Sequence, residues 1–270
     1  ASPDPPREKQ MENLIAFFDN FLVSETPSPI ESEITYYTFG SGNWTTTRVW
    51  PPSGFNDTDW YFDAGGLLSP AKPTVSDGSD RYKVDYTATT GDQNRWHTQM
   101  GGGDVIYPDR AKEDEKLLTY TSAPMKTDVV ITGHPIVTLQ IRSTHEDAAL
   151  FVYLEAVAPD GRVTYITEGQ LRAVSRKISS HKPPYHHYGP YRTFTREDAE
   201  KLAPGEVAEL VFDLWATSVL IRKGHRIRVA IAGADAGNFA RYPPTGEPTI
   251  TVERNREITS KITLPMAKRT

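Results

Sequence analysis

The stretch ALFVYLEAVAPDGRVTYITEGQL, residues 149–171, decides the fold. Side chains in its first half alternate between two faces, as on a β-strand: Leu150, Val152, Leu154 and Ala156 on one, and Phe151, Tyr153, Glu155 and Val157 on the other. Pro159-Asp160-Gly161 then has the residue types of a tight turn. Because the second half is again rich in β-branched and apolar residues, the stretch predicts an antiparallel hairpin.

Similar patterns lie on both sides of this hairpin. EITYYTF (33–39) and WTTTRVW (44–50) are separated by GSGN, which predicts a second hairpin. HRIRVAIAG (225–233) predicts a half-buried strand, with apolar and basic side chains on opposite faces: Ile227, Val229 and Ile231 on one, and Arg226 and Arg228 on the other.

The last part of the chain continues the alternation. PTITVERN (248–255) and EITSKITL (257–264) both predict strands, and we expect the second to end at Pro265, because proline cannot donate a ladder hydrogen bond. The whole chain contains at least ten candidate strands, with turn residues and no long helix between them. This pattern predicts an all-β fold, an antiparallel β-sandwich or jelly roll.

Composition excludes several function classes. The 270 residues carry a formal net charge of -5 with both signs dispersed, which argues against a nucleic-acid groove. The apolar runs are far shorter than the roughly 20 residues of a membrane helix. The absence of cysteine removes disulfides, thiolate nucleophiles and thiolate metal sites, and it favours a reducing compartment such as the cytoplasm.

The N-terminal part differs from the rest. Residues 1–10 contain three prolines and predict a polar tail. MENLIAFFDNFL (11–22) predicts a helix with one broad apolar face, which we expect to dock on a partner surface. Two prolines within SETPSPIES (24–32) end it. We therefore place a domain boundary between residues 1–32, a linker and helix, and residues 33–270, the β-sandwich domain.

The chain lacks the usual catalytic motifs. No G-x-S-x-G nucleophile turn occurs, and FGSGN (39–43) has the residues of a hairpin turn instead. H-E-x-x-H and cysteine pairs are absent, and MGGGD (100–104) is not followed by the Lys-Ser/Thr of a phosphate loop. We therefore assign no catalytic residue, no metal ligand and no cofactor.

Two segments remain as candidate functional loops. Residues 91–114 form a long loop with Trp96 and His97, and Trp96 either offers a contact surface or folds back under its own loop. HKPPYHHYGPY (181–191) contains His186, His187 and Tyr188 between stiffening prolines. We interpret it as a domain or subunit contact, because no orienting acid for catalysis by its histidines is identifiable. Thr195 is expected to cap a short helix after it.

Several stretches together resemble a known family. LLTYTSAPMKTDVVITGHPIVTLQIRSTHEDAALFVYLEAVAPDGRVTYITEGQLRAVSRK (117–177) and GEVAELVFDLWATSVLIRKGHRIRVAIAGAD (205–235) are similar to the C-terminal domain of X-Pro dipeptidyl-peptidase and of the cocaine esterase/NonD (CocE/NonD) serine hydrolases. ITYYTFGSGNWTTTRVWPP (34–52) resembles the segment that opens this domain. The resemblance extends over nearly the whole chain.

The resemblance implies a jelly-roll sandwich of the galactose-binding type. It also implies that Phe18-Asp19-Asn20-Phe21-Leu22 belongs to a helix closing a preceding α/β-hydrolase domain, with the catalytic Ser, Asp and His all upstream of residue 1. In this family the sandwich packs on the hydrolase domain, and loop 91–107 is expected to reach the acyl pocket. The stretch 179–204 is an addition relative to better-known relatives.

The expected function is therefore that of a non-catalytic domain in a serine hydrolase. The partners would be the upstream α/β-hydrolase domain, a small acyl ester or amide as the substrate of that domain, and a second copy of the chain if it forms a homo-oligomer. An alternative is a carbohydrate-binding module, because jelly rolls present aromatic platforms to sugars. Its candidate platforms are Trp44, Trp50, Trp60 and Trp96.

Overall fold

The computed structural model describes residues 5–25, 33–99 and 103–268. The helices are α1 (Arg7–Phe18), continued by a π-helical turn (Asp19–Val23), and the short α2 (Arg95–Gln99). The strands are β1 (Ile34–Thr38), β2 (Asn43–Thr47), β3 (Asn56–Asp63), β4 (Leu67–Ser69), β5 (Ser79–Lys83), β6 (Leu118–Ser122), β7 (Val129–Gly133), β8 (Ile136–Ser143), β9 (Ala149–Val157), β10 (Val163–Arg172), β11 (Ala208–Asp213), β12 (Thr217–Ile221), β13 (Arg226–Ala232), β14 (Thr249–Glu253) and β15 (Lys261–Lys268).

The strands form a sandwich. Its layers are joined through the β4–β3 pair into one 13-stranded sheet with the order β10-β9-β13-β6-β4-β3-β15-β8-β14-β5, with β11 on β8 and with β7 between β12 and β15. Pairs between these strands are antiparallel except β4 with β6. Leu154 of β9, Val229 of β13, Leu139 of β8 and Leu210 of β11 belong to one buried cluster between the layers. The prediction of an all-β sandwich is confirmed.

The hairpin predicted from residues 149–171 is strands β9 and β10. Their register runs from Val163 opposite Val157 to Arg172 opposite Ala149, with a bulge after Tyr165. At the turn, the Gly161 N–H donates to the Ala158 carbonyl at 2.9 Å. Gly161 has a φ of +92°, a conformation that glycine adopts without steric cost. The predicted β1–β2 hairpin is also confirmed.

The sheet is buried on its outer face as well. Phe151 and Tyr153 of β9 point away from the main core and form a second cluster with Ala230 and Ala232 of β13. Phe239 from a later loop packs against this cluster. The prediction that residues 225–233 form a half-buried strand is therefore correct only for the first half, because loops cover the outer face of the second.

The N-terminal helix begins earlier than predicted. It starts at Arg7, directly after Pro6, so residues 7–10 are helical rather than part of a tail. None of the residues of α1 is buried, and its large apolar side chains are exposed. The expected docking surface and domain boundary stay predictions, and residues 26–32 lie outside the described residues.

Strand β15 does not end at Pro265. It runs from Lys261 to Lys268, while residues 257–260 precede it as a turn around Asn255, whose Oδ1 accepts from two backbone N–H groups. On one edge Pro265 lies opposite Asp57 within the ladder with β3, and on the other edge it lies in a gap between two ladders. Pairing with β8 ends at Thr263, and pairing with β7 starts at Met266.

A glycine lets the connection between β11 and β12 lie directly on β10. A Cβ on Gly169 would come within 2.5 Å of the Asp213 carbonyl oxygen and 3.0 Å of the Leu214 Cα. Beside it, the Trp215 N–H donates to the Glu168 carbonyl at 2.9 Å, and the Thr167 hydroxyl donates to the Trp215 carbonyl at 2.8 Å. This contact fixes Trp215 against the edge of the sheet.

We predict that Gly169→Ala lowers the free energy of unfolding by about 1–3 kcal/mol, because the new methyl group overlaps backbone atoms that cannot rotate away. Gly103→Ala is the matched control, since a Cβ there meets no atom within 4 Å. Urea denaturation of both variants measures the difference. Equal stability of the two would contradict this account of the crossing.

Candidate functional site

A cleft of about 640 Å³ opens between the edge strand β10 and strand β12. Its walls are mainly apolar and come from both layers of the sandwich, from loop 91–107 and from the end of the first hairpin. The described lining residues are Phe39, Gly40, Arg95, Val105, Tyr107, Ala156, Thr164, Tyr165, Ile166, Thr167, Trp215, Ala216, Thr217, Val219, Leu220, Arg222 and His225. Its size is in the range of small-molecule sites, roughly 300–1,000 Å³.

The first hairpin closes one end of the cleft. The Phe39 N–H donates to the Ser218 carbonyl, and the Leu220 N–H donates to the Phe39 carbonyl, both at 2.9 Å. Phe39 thereby forms one parallel β-bridge with Val219 of β12. Gly40 follows with a φ of +79°, and its carbonyl accepts from the Arg222 guanidinium at 2.7 Å.

Arg95 lies at the other end, between two tryptophans. Its guanidinium carbon is 4.6 Å from the ring centroid of Trp96 and 4.6 Å from that of Trp215, distances that allow cation–π attraction. Its Nε donates to Glu168 Oε1 at 3.0 Å. Burial raises the pKa of Glu168, and the positive charge of Arg95 opposes this shift.

Tyr107 holds the far end of loop 91–107 on the sheet. Its ring stacks on Tyr165 of β10 with centroids 3.9 Å apart, and its hydroxyl accepts from the Arg95 N–H at 3.2 Å. Burial raises the pKa of the Tyr107 hydroxyl. The loop is thus fixed where it borders the cleft.

A buried aspartate holds the start of the same loop. Asp235 accepts from the Thr90 N–H at 2.8 Å and from the Thr90 hydroxyl at 2.7 Å. The Thr90 hydroxyl in turn accepts from the Asn94 amide at 2.8 Å, and the Asn94 Oδ1 accepts from the His97 N–H at 3.0 Å. These bonds replace the ladder bonds that the loop backbone lacks.

Two buried ion pairs hold the chain after the loop. Arg110 Nε lies 3.3 Å from Glu155 Oε1, and Arg228 Nη1 lies 2.6 Å from Asp114 Oδ2. Glu155 Oε2 and Asp114 Oδ1 are buried without a hydrogen-bond partner. Burial raises the pKa of Glu155, and the neighbouring Asp114 carboxylate adds to this shift.

Trp96 and His97 do not form one surface. Trp96 folds back onto the domain, with its ring 5.1 Å from Phe239 in an edge-to-face contact. Trp96 is half-buried against a later loop rather than under its own, and its role as a contact residue stays a prediction. His97 is exposed and lines a separate hollow of about 350 Å³ that includes Asp92 and Asn238. Neither residue is among those that line the large cleft.

The second candidate segment lies elsewhere on the domain. Tyr188 stacks on His134 at 5.0 Å, and His186 packs edge-on against Tyr188 at 4.4 Å. His187 lies beside Tyr191, with centroids 6.0 Å apart. Burial lowers the pKa of His134. His187 lines a hollow of about 130 Å³ with Tyr191 and Asp213, which is different from the hollow that His97 lines.

The helix expected after this segment is a single turn, Arg196–Asp198. Thr195 precedes it but makes no side-chain cap bond. Asp198 instead accepts from Lys177 at 2.6 Å and from the Thr193 hydroxyl. A short helical turn therefore follows Thr195 as predicted, but the predicted cap by the Thr195 side chain is wrong.

The cleft residues Arg95, Trp215, Arg222 and His225 were missed by sequence reasoning. The position of Trp215 was a usable signal. It lies in the short connection between β11 and β12, where a large aromatic side chain is exposed. Within residues 5–25, 33–99 and 103–268, no group of three or more metal-ligating side chains is found. No helix in that part of the chain has the length and hydropathy to cross a membrane.

Comparison with known proteins places these observations in context. The family model of the X-Pro dipeptidyl-peptidase C-terminal non-catalytic domain matches residues 29–267. A protein named as a putative serine esterase from Mycobacterium tuberculosis (strain CDC 1551 / Oshkosh) is 48% identical over 255 residues, which are 94% of this chain and 40% of that relative. The chain therefore spans less than half the length of this relative.

Two more distant relatives agree. The cocaine esterase of Rhodococcus sp. (strain MB1 Bresler) is 24% identical over 278 residues, covering 94% of this chain and 45% of the esterase. The crystal structure of an aminopeptidase from the marine sediment archaeon Thaumarchaeota archaeon superposes with a TM-score of 0.75 at 19% identity, over 96% of this chain and 44% of that one. The latter likeness concerns the fold alone.

The buried carboxylates predict a pH effect on stability. Because the pKa of Glu155 is raised on folding, the folded state binds this proton more tightly than the unfolded state. The contribution of Glu155 to the free energy of unfolding is therefore complete below its unfolded pKa of about 4.3, and it is lost as the pH rises through its folded pKa. We expect Glu155→Gln to flatten this fall in the free energy of unfolding, measured by urea denaturation between acid and neutral pH.

The matched control is Glu115→Gln, an exposed carboxylate next to Asp114 in the chain, which should keep the wild-type pH profile. Glu155→Ala should cost about 3–5 kcal/mol at neutral pH, because it leaves the Arg110 charge buried without its partner. If Glu155→Gln and wild type have parallel pH profiles, the raised pKa is wrong.

Proposed function

Because this chain belongs to the family of X-Pro dipeptidyl-peptidase C-terminal non-catalytic domains, we propose that it packs on a serine hydrolase domain and shapes the acyl pocket of that domain. The observation that carries the proposal is the match over residues 29–267 together with the 48% identity to a putative serine esterase. The proposed substrates of the complete protein are small acyl esters or amides.

The surface around the cleft supports this role. Val105 and Ile106 at the end of loop 91–107, Phe39 and Trp215 are large apolar side chains, and all four are exposed. A cluster of exposed apolar side chains is more often a contact surface for another protein or domain than a surface that stays in water. The proposed partner surface is that of the catalytic domain.

The N-terminal helix supports the same arrangement. Its apolar side chains Leu14, Ile15 and Phe18 are exposed, and the Phe17 ring packs on Phe21 at 4.9 Å. A helix with this much exposed apolar surface gains free energy by burying it. We propose that residues 1–32 form the last segment of the catalytic domain and that residues 33–270 form the sandwich.

In the proposed complete protein, the reaction takes place on the other domain. An upstream serine hydroxyl attacks the acyl carbonyl while a histidine accepts its proton, and backbone N–H groups stabilise the oxyanion. The first product leaves with that proton, and water then releases the acyl group. This chain contributes pocket wall and support, with Trp96 and His97 on loop 91–107 as the proposed contacts to the pocket.

The kinetic test uses the complete protein with single exposed changes. His97→Ala should raise the KM for p-nitrophenyl acyl esters by about three- to tenfold, equivalent to roughly 0.7–1.4 kcal/mol, with kcat nearly unchanged. Lys72→Ala, an exposed change outside the loop, is the control. The chain of 270 residues alone should hydrolyse these esters no faster than buffer. Turnover by this chain alone would contradict the proposal, and unchanged kinetics of His97→Ala would leave the loop a structural role only.

The insertion around residues 179–204 is proposed as a domain or subunit contact rather than a catalytic site. Tyr185, Tyr188 and Phe194 are exposed there, and the local prolines restrict the backbone. His186, His187 and Tyr188 are the residues we assign to the contact.

We expect the double variant His186→Ala and His187→Ala to weaken association of the complete protein while each assembled molecule keeps its kcat, because these rings supply packing and not proton transfer. Sedimentation velocity measures the association, and ester turnover measures the activity. Intact association with abolished turnover would assign the histidines to catalysis instead.

A further inference from the structure

We infer that the cleft between β10 and β12 is a binding site for an apolar carboxylate, with the acyl chain along β12 and the carboxylate at Arg222. This inference concerns the interior of the cleft. It does not rest on the proposed role beside a catalytic domain, because binding is a property of this chain alone.

The charge of the lining is the first reason. Of the described residues that line the cleft, Arg95 and Arg222 are cationic, His225 is titratable, and none is an aspartate or glutamate. Charges of one sign on low-dielectric walls attract a ligand of the opposite sign. A neutral apolar ligand would form no ion pair with these arginines.

The two arginines differ in how far they are neutralised. Arg95 is already paired with Glu168 and is held between two tryptophans. Arg222 is exposed and donates to the Gly40 carbonyl, and within the described part of the chain no carboxylate forms an ion pair with it. The guanidinium of Arg222 therefore has donors left for the two oxygens of a carboxylate.

Unpartnered polar atoms in the lining are the second reason. The hydroxyl of Thr217 and the Nδ1 of His225 are buried without a hydrogen-bond partner. The His225 N–H donates to the Arg222 carbonyl at 3.0 Å, so His225 lies beside the proposed carboxylate site, whereas Thr217 lies at the opposite end of β12. Buried polar groups in folded proteins are nearly always bonded, so the Nδ1 of His225 can take a polar group of a ligand as its partner.

The apolar body of the cleft defines the rest of the ligand. Val219 and Leu220 of β12, Ile166 of β10 and Val105 all line the cleft. From Thr217 to Arg222 the strand extends by about 16 Å at roughly 3.3 Å per residue. An extended acyl chain of medium length therefore fits between the strands better than a compact ring or a highly polar sugar.

Isothermal titration of the chain with sodium decanoate, below the concentration at which it forms micelles, tests the inference. We expect saturable binding of one decanoate, at least tenfold tighter than binding of decanol or acetate. Decanol lacks the carboxylate, and acetate lacks the apolar chain. Arg222→Gln should weaken decanoate binding about tenfold while leaving decanol binding unchanged, and Gln keeps a donor for the Gly40 carbonyl.

Arg196→Gln removes the same charge from an exposed turn that does not line the cleft, and it should bind decanoate as wild type does. Ala216→Trp should abolish binding by filling the cleft, with the fold checked by circular dichroism. Equal affinity for decanoate and decanol, an unaffected Arg222→Gln variant, or no binding at all would overturn the inference. None of these results would affect ester turnover by a catalytic domain, so failure here is distinguishable from failure of the proposed function.

Discussion

The close crossing at Gly169 is the contact on which the candidate site depends. It lets the chain from Asp213 to Trp215 lie on the backbone of β10 with no side chain between them. Two hydrogen bonds, to Glu168 and from Thr167, then set the direction of this segment. Trp215 consequently stands over Arg95, and β12 continues from there along the wall of the cleft.

Loop 91–107 is held by polar contacts more than by strand pairing. Asp235 binds its start, Tyr107 stacks at its end, and Arg110 with Glu155 fixes the chain that follows. Buried ion pairs of this kind add little net stability compared with apolar packing, yet breaking one partner is costly. Such contacts fix the described start and end of the loop on the domain.

Family membership and the physical description support each other at different levels. The family match covers the sandwich and describes it as non-catalytic, which agrees with the absence of a nucleophile motif in the sequence. The cleft, its cationic lining and the histidine-rich insertion are features of this chain that the match does not describe. They are the places where we propose that this domain contributes binding and contact.

The sequence by itself determined the all-β class, the β1–β2 and β9–β10 hairpins, and the inward side chains of β9 and β13. Alternation and turn residues act over a few neighbouring positions, so a local pattern is enough to predict these features. It also identified Trp96, His97 and the tyrosine-histidine segment as unusual. Only the tertiary structure decided that Trp96 folds back, that the outer face of the sheet is covered, and that Pro265 lies inside a strand. It also brought Arg95, Glu168 and Trp215 together. These outcomes depend on contacts between distant segments, whose pairing no local pattern of residues specifies.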